Sequence, residues 1–183
     1  MRAFGRTVYR RLEWLELSLD VEQREIEARV PLTAGFLDAA SAEELAAFHP
    51  ELGRSAVNER FARGDRCFGS RYEGRLASAS WLSTGTARVE YLRLAVKLPP
   101  RTVYHHDRFT DPSLRGLRIA PATGVRLCRA LAEEGFVTIV AAVLRENAVA
   151  MENALRVGMR QTATIGWVGI GPARHAFRRP SLQ

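Results

Sequence analysis

The segment from residue 109 to residue 120 reads FTDPSLRGLRIA, and it decides the fold that we predict for this chain. Its pattern is that of a strand end that runs into a short basic loop and then into an amphipathic helix. Backbone N–H groups at a helix start have no acceptor within the helix, and the helix dipole adds partial positive charge. A bound phosphate satisfies both features, and Arg115 and Arg118 add full charges. The segment therefore predicts a phosphate-binding loop.

Composition narrows the class of protein. The chain has 183 residues, of which 46% are hydrophobic, so we expect residues 1–183 to form a single domain with a substantial core. The net charge is +7, and all of the 27 basic residues except Lys97 are arginine. We attribute this bias to an arginine-rich coding background, so nucleic acid is not expected as a partner. An anionic ligand stays compatible with the charge.

Cysteine usage and hydropathy indicate the compartment. Cys67 and Cys128 are too few for a disulfide framework and lack metal-ligand spacing, so we expect no metal site and a reducing environment. Residues 1–11 form a basic segment, but acidic residues interrupt the segment that follows it. The apolar core of a signal peptide is therefore absent from this pattern. The longest apolar run, at residues 137–144, is shorter than the roughly 20 residues that cross a bilayer. We therefore expect a cytoplasmic protein with no membrane partner.

Hydrophobic periodicity predicts a mixed α/β fold. An antiparallel meander in the first part of the chain is followed by a βαβ unit with parallel strands over residues 102–144. A capping box at Ser41 and Glu44 predicts the start of a helix that extends through Phe48. The predicted strands cover residues 8–19, 66–72, 75–83, 86–98, 102–110, 137–144 and 162–170. Further helices are predicted at residues 56–62 and 148–157. Another helix ends before Gly135, and one of its faces contains Val125, Cys128, Leu131 and Ala132.

The order of these elements resembles the GNAT superfamily of acyl-CoA-dependent N-acyltransferases. The resemblance covers residues 66–170 and consists of a strand, an Arg-x-x-x-x-Ala loop, a helix, a buried strand, Asn-x-x-Ala and Gly-Met. It implies an α/β fold with a central, mixed, mostly antiparallel sheet, a splayed parallel βαβ unit that carries the coenzyme A pyrophosphate loop, and helices on both faces. It also implies an N-acetyltransferase that uses acetyl-CoA and a small-molecule amine acceptor, which the sequence does not identify. Whether the protein forms a homodimer is left open at this point.

The resemblance also implies the residues that bind coenzyme A. Phe109 and Thr110 match the strand end whose backbone pairs with the pantetheine amides, and Asn147 matches the residue that bonds the pantetheine arm. A helix N-cap is the alternative role for Asn147. Arg118 stands where the family usually has glycine, so it either weakens the loop or brings its guanidinium to a phosphate. The pyrophosphate loop itself comprises Arg115, Gly116, Leu117, Arg118, Ile119 and Ala120.

Candidate catalytic residues follow from the same resemblance. Two positions that carry a base in branches of the family fall on Tyr104 and His106, and we favour His106 because an imidazole accepts a proton near neutral pH. A structural role for His105 and His106 is the alternative. The family often has a bulge in this strand, which would bring Asp107 to the active face instead. Glu90 is a weaker candidate.

The family's general acid is missing. The position of its tyrosine, seven residues after Asn147, is Ala154 here. The thiolate would then leave unaided, be protonated through water, or use Tyr104 or Tyr91. We keep two alternatives open: a different donor, either another acyl-CoA or an acyl carrier protein, and a non-catalytic module on the same fold that binds coenzyme A or nucleic acid.

Overall fold

The computed structural model describes residues 7–21, 25–49, 51–170 and 173–181. Its strands are β1 (Thr7–Ser18), β2 (Thr33–Leu37), β3 (Arg66–Tyr72), β4 (Arg75–Thr84), β5 (Thr86–Val89), β6 (Leu94–Lys97), β7 (Thr102–Thr110), β8 (Thr138–Val143), β9 (Arg160–Ile170) and β10 (Ala173–Pro180). Its α-helices are α1 (Ala42–Phe48), α2 (Gly53–Ala62), α3 (Ile119–Glu133) and α4 (Ala148–Arg156). The fold is mixed α/β with mostly antiparallel strands and one parallel pair, as predicted. None of the helices within the described ranges has the length and apolar character that a membrane span needs.

The chain divides into two compact units. Among the described residues, the first unit holds residues 7–17, 88–96, 140–170 and 173–181, and the second holds residues 18–21, 25–49, 51–87 and 97–139. The prediction that residues 1–183 form a single domain stays a prediction.

In the first unit the strand order is β10-β9-β1-β8. Strand β9 pairs antiparallel with both β1 and β10, so that Arg10 of β1 faces Trp167 of β9. Trp167 is buried, and its Nε1 donates to the carbonyl of Leu92 at 3.1 Å. Gly166 lies where a Cβ atom would come within 2.2 Å of the carbonyl oxygen of Arg10, so only glycine fits this position.

In the second unit the strands follow the order β7-β4-β3-β2, and each neighbouring pair is antiparallel. The predicted hairpin between β3 and β4 is present. Its turn residues Glu73 and Gly74 have φ values of 51° and 77°, the left-handed pair that a tight two-residue hairpin requires. This hairpin places the centre of β4 between β3 and β7.

Helices cover both faces of this second sheet. On one face, α1 and α2 bury an apolar cluster that includes Leu45, Val57 and Trp81. On the other face, Thr123 of α3 donates to the Oγ of Ser70 at 2.8 Å, and both side chains are buried. The buried stripe of α3 contains Val125, Cys128 and Leu131, as predicted, whereas Ala132 is exposed. Burial raises the pKa of the Cys128 thiol to about 11, which fits an inert cysteine.

Two local predictions are wrong. The capping box does not form, because Ser41 makes no side-chain cap bond and Glu44 instead forms a two-bond ion pair with Arg71 at 2.5 Å. Residues 86–98 do not form one strand, because the turn at Glu90–Leu92 separates β5 from β6 and these two strands form a small sheet of their own. Arg93 follows this turn with a φ of 53°.

Candidate active site

Strand β7 contains a β-bulge. His106 faces Trp81 and Phe109 faces Ala79, so Ser80 alone faces both Asp107 and Arg108. The φ of Asp107 is 43°, a left-handed conformation that aspartate tolerates better than most residues. The extra residue turns the Asp107 carboxylate toward the imidazole of His106. The bulge expected from the family resemblance is therefore confirmed.

The imidazole of His106 lies between a hydroxyl and a carboxylate. Its Nε2 is 3.1 Å from the Oγ of Ser83, and its Nδ1 is 3.7 Å from the Oδ2 of Asp107. The ring of Tyr104 stacks on it with centroids 5.0 Å apart and an interplanar angle of 12°. The side chain of His106 is only 10% exposed. The structure thus brings the three predicted catalytic residues together.

An ion pair from α2 holds the bulge. The guanidinium of Arg60 donates to the Oδ2 of Asp107 and lies over the indole of Trp81, with Cζ 5.3 Å from the ring centroid. The neighbouring imidazole of His106 and the guanidinium of Arg60 hold the pKa of Asp107 well below its ordinary value, against the opposing effect of burial. Asp107 is therefore a carboxylate beside His106 at neutral pH.

A second carboxylate reaches the site from the end of α2. Gly64 has a φ of 88°, and the N–H of Asp65 donates to the carbonyl of Arg60 at 2.9 Å, so a Schellman-type cap fixes the position of Asp65. Its Oδ1 accepts from the Oγ of Ser83 at 2.8 Å. Its Oδ2 accepts from the Nε of Arg63 at 2.7 Å. Sequence reasoning missed Asp65, Ser83 and Arg60, because their contacts depend on where α2 ends and on the pairing of the strands.

The loop after β7 is built from three local devices. The carboxylate of Asp111 accepts from the backbone N–H of Ser113 at 2.9 Å and from its hydroxyl at 2.7 Å, which turns the chain at the strand end and lowers the pKa of Asp111. Gly116 and Arg118 then adopt left-handed conformations with φ values of 84° and 59°. Helix α3 begins directly afterwards at Ile119.

Arg118 shows why a glycine is expected at this position. A residue with a Cβ atom is strained in the left-handed region, whereas glycine is not. Arg118 nevertheless adopts this conformation and is the N-cap residue of α3. Its carbonyl accepts a hydrogen bond from the N–H of Ala122 at 3.2 Å. The loop geometry therefore survives the loss of glycine.

The predicted pantetheine-binding strand end is well anchored. Phe109 packs edge-on against Phe48, with centroids 5.2 Å apart, and against His49. Ser78 of β4 donates to the carbonyl of Phe109 at 3.1 Å and lies 3.2 Å from the hydroxyl of Thr110. The pairing of Phe109 and Thr110 with pantetheine stays a prediction.

The remaining predicted residues lie in the first unit. Asn147 caps α4, since its Oδ1 accepts from the N–H of Ala150 at 3.1 Å, so the alternative role as N-cap is confirmed. Its bond to the pantetheine arm stays a prediction. Ala154 is fully buried. Glu90 and Tyr91 belong to the turn between β5 and β6, where Tyr91 is 46% exposed.

Solved structures share this architecture, although no family model and no curated protein matches the sequence. A GCN5-related glucosamine N-acetyltransferase region of a fungal multi-domain GH3 β-N-acetylglucosaminidase superposes with a TM-score of 0.66 and 17% identity over 87% of this chain. A GNAT-family protein from Novosphingobium aromaticivorans DSM 12444 superposes with a TM-score of 0.58 and 17% identity, and the match covers 96% of this chain and 68% of that protein. Aminoglycoside N-acetyltransferase AAC(6′)-Iy in complex with CoA superposes with a TM-score of 0.56 and 14% identity, and the match covers 72% of this chain and 89% of that enzyme. This chain has the GNAT fold.

The length of the match differs between these structures. The chain spans 21% of the fungal enzyme, of which the glucosamine N-acetyltransferase region is one part. At identities of 17% or less, the likeness establishes the GNAT fold. Within that fold, residues 115–120 follow β7 and their last two residues begin α3, in the chain order that the sequence resemblance implied.

Proposed function

We propose that the protein is an acyltransferase that moves an acetyl group from acetyl-CoA to a primary amine of a small molecule. The observation that carries the proposal is the course of β7: it contains His106 and Asp107, and after a turn at residues 111–114 the chain enters the basic loop at residues 115–120. Across the bulge, His106 and Thr110 face Trp81 and Ser78 of β4, which are three residues apart, about 10 Å along a strand. A base and an anion site separated in this way suit an elongated donor with phosphate at one end and a thioester at the other.

The loop supplies the chemistry for the phosphate end. Its left-handed residues, Gly116 and Arg118, turn the backbone immediately before α3, whose first N–H groups have no acceptor within the helix. Arg115 and Arg118 add two positive charges beside the helix dipole. This arrangement favours a doubly charged pyrophosphate over a neutral ligand. The solved GNAT neighbour with bound CoA supports the choice of donor.

The cluster around His106 supplies the chemistry for the amine. An ammonium group must lose a proton before its nitrogen can attack a thioester carbonyl, and the imidazole accepts that proton. The Asp107 carboxylate, 3.7 Å from Nδ1, stabilises the imidazolium that results. The amine nitrogen then bonds to the acyl carbon, the carbon–sulfur bond breaks and the thiolate leaves. The nitrogen gives up its second proton, directly or through water, to the departing thiolate, so that the products are a neutral amide and the free thiol of coenzyme A. Tyr104 lies under the imidazole and is the tyrosine available to this cluster.

One observation favours a non-catalytic alternative. Ala154 occupies the position of the family's general-acid tyrosine and is fully buried, so this position offers no proton to the thiolate. A protein that binds coenzyme A without transferring the acyl group would show saturable binding and no thiol release. A larger acyl donor, carried by coenzyme A or by an acyl carrier protein, would instead show thiol release with that donor alone.

Calorimetric titration with acetyl-CoA, coenzyme A and adenosine 3′,5′-bisphosphate at moderate salt is the first test. We expect saturable binding of both CoA compounds and weaker binding of the nucleotide. Thiol release is then measured with a panel of amines, beginning with amino sugars and aminoglycosides because solved neighbours act on these classes. Absence of CoA binding would overturn the proposal, and binding without thiol release from acetyl-CoA or longer acyl-CoAs would favour the non-catalytic module.

A further inference from the structure

Ser83 connects a buried carboxylate to the imidazole of His106. Its Oγ is 2.8 Å from the Oδ1 of Asp65 and 3.1 Å from the Nε2 of His106. Ser83 is 5% exposed and Asp65 is 8% exposed, so water does not compete for these bonds. A hydroxyl has one proton to donate and two lone pairs to accept with. The direction of the two hydrogen bonds is therefore decided by which neighbour can donate.

Asp65 can only accept. Its Oδ2 accepts a hydrogen bond from the Nε of Arg63 at 2.7 Å and lies 2.6 Å from a terminal nitrogen of the same guanidinium. A carboxylate in an ion pair with a guanidinium is ionised, and an ionised carboxylate has no proton to give. The single proton of Ser83 is therefore directed to Oδ1 of Asp65. The lone pairs of Ser83 remain for His106.

We infer that Asp65 and Ser83 fix the tautomer of His106, with the proton on Nε2 and with Nδ1 as the atom that accepts the proton of the substrate amine. This inference rests on the proposed function, in which His106 is the base. Nδ1 is on the accessible side of the ring, since Asp107 beside it is 41% exposed whereas Ser83 beside Nε2 is buried. Asp65 and Ser83 are positioning residues, because they act through His106.

The opposite tautomer is disfavoured. A proton on Nδ1 would leave the bare Nε2 facing the lone pairs of Ser83 in a buried site, where two acceptors without a proton between them are unfavourable. The Asp107 carboxylate faces Nδ1 in either tautomer, but it lies 3.7 Å away, beyond hydrogen-bond distance, is 41% exposed and already pairs with Arg60. A proton on Nδ1 therefore gains little from this carboxylate, and a bare Nδ1 is repelled by it less than a bare Nε2 is by Ser83 in the buried site. The Asp65–Ser83 chain therefore dominates the choice of tautomer.

Proton balance is complete in this arrangement. The ammonium nitrogen loses one proton and Nδ1 gains it, while Nε2 keeps its proton and its bond to Ser83. The resulting imidazolium donates on both sides, to Ser83 from Nε2 and toward Asp107 from Nδ1. No proton needs to cross the buried Asp65–Ser83 chain during the transfer.

The tautomer is read directly from long-range ¹H–¹⁵N correlation spectra of the resting, full-length protein labelled in its histidines, at about pH 8, where an unperturbed imidazole is neutral. The chain has four histidines, and the spectrum of His106→Gln assigns the signal of interest. We expect the pyrrole-type nitrogen of His106 to be Nε2. A pyrrole-type Nδ1 in the wild-type protein would overturn the inference.

Asp65→Asn supplies the matched test. Arg63 would hold the amide oxygen, so the amide nitrogen would face Ser83 and donate to it. Ser83 would then donate to Nε2, and the proton of His106 would move to Nδ1. We expect this switch in the spectrum together with a fall in kcat of about 10²-fold at unchanged CoA affinity. An unchanged tautomer in a folded Asp65→Asn protein would overturn the inference.

Ser83→Thr is the conservative control, because it keeps the hydroxyl and should keep both the tautomer and most of kcat. The spectrum needs no substrate, so its outcome is separate from that of the proposed function. The wild-type tautomer without any thiol release would contradict the acyltransferase and leave the Asp65–Ser83 chain supported. Thiol release together with a pyrrole-type Nδ1 would contradict only the inference.

Discussion

Arg60 and Asp107 form an ion pair between residues 47 positions apart in the chain, with the guanidinium 3% exposed and the carboxylate 41% exposed. The pair ties α2 to the bulge of β7. A buried cation is costly without its anion, so the bulge and the helix depend on each other. The position of Asp107 beside His106 is thus a consequence of packing as well as of the strand register.

Removing one partner of this pair should destabilise the fold. We expect Asp107→Ala to lower the free energy of unfolding by about 2 kcal/mol, less than the loss on breaking a fully buried pair, because water reaches the exposed side of Asp107. The double variant Arg60→Met with Asp107→Ala should recover most of the loss, since the buried cation is removed together with its anion. Urea unfolding at neutral pH measures the free energy of unfolding of each single variant and of the double variant. Strictly additive losses would contradict a direct interaction between Arg60 and Asp107.

Two substitutions at Arg118 separate its backbone role from its side-chain role. We expect Arg118→Gly to raise the free energy of unfolding by up to about 1 kcal/mol, because glycine relieves the strain at a φ of 59° although it adds freedom to the unfolded chain. Arg118→Ala keeps the strain and removes the guanidinium, and should weaken CoA binding roughly tenfold if the guanidinium contacts a phosphate. Unchanged affinity in both variants, measured by calorimetry, would show that Arg118 is not a phosphate ligand.

His105 should make the fold sensitive to acid. Its Nε2 is buried without a hydrogen-bond partner among the described residues, and burial together with the charges of Arg108 and His106 holds the pKa of His105 well below its ordinary value. In the unfolded chain the pKa is about 6.5, so below that pH the unfolded state binds a proton that the folded state does not. The contribution of His105 to stability therefore falls as the pH drops below about 6.5.

The measurement compares urea unfolding at neutral and mildly acidic pH for the wild-type protein and for His105→Leu. We expect the loss of stability on acidification to reach up to about 1.4 kcal/mol per pH unit in the wild-type protein and to shrink in the variant. His175→Leu, at an exposed position of β10, is the control and should keep the wild-type slope. If the free energy of unfolding of His105→Leu fell as steeply with pH as that of the wild-type protein, His105 would not be the source of the acid sensitivity.

Sequence patterns predicted most elements of this fold because their signals are local, but they missed β2 and β10. The β3–β4 hairpin follows from Glu73 and Gly74, and α3 follows from the spacing of Val125, Cys128 and Leu131. The capping box failed for a reason that is not local. Glu44 has the right spacing from Ser41, but Arg71 on β3 competes for its carboxylate with a full charge.

The catalytic candidates were predicted only along β7. Tyr104, His106 and Asp107 are neighbours in sequence, so the family resemblance of this one strand implies all three. Arg60 and Asp65 depend on where α2 ends and on the register of β3, β4 and β7, which no local pattern encodes. The polar network around His106 therefore required the three-dimensional structure.

The pH dependence of turnover tests whether His106 acts as a base. We expect His106→Ala to lower kcat by 10² to 10⁴-fold near neutral pH and to leave the affinity for CoA unchanged, because the imidazole lies on β7, outside the basic loop at residues 115–120 that we propose for the phosphates. Solution hydroxide must then deprotonate the amine, so the residual rate should rise about tenfold per pH unit up to the pKa of the substrate. The control is His175→Ala on β10, which should match the wild-type profile. A residual rate that is equally low at every pH would instead indicate that His106 only supports the packing of Tyr104 and Ser83.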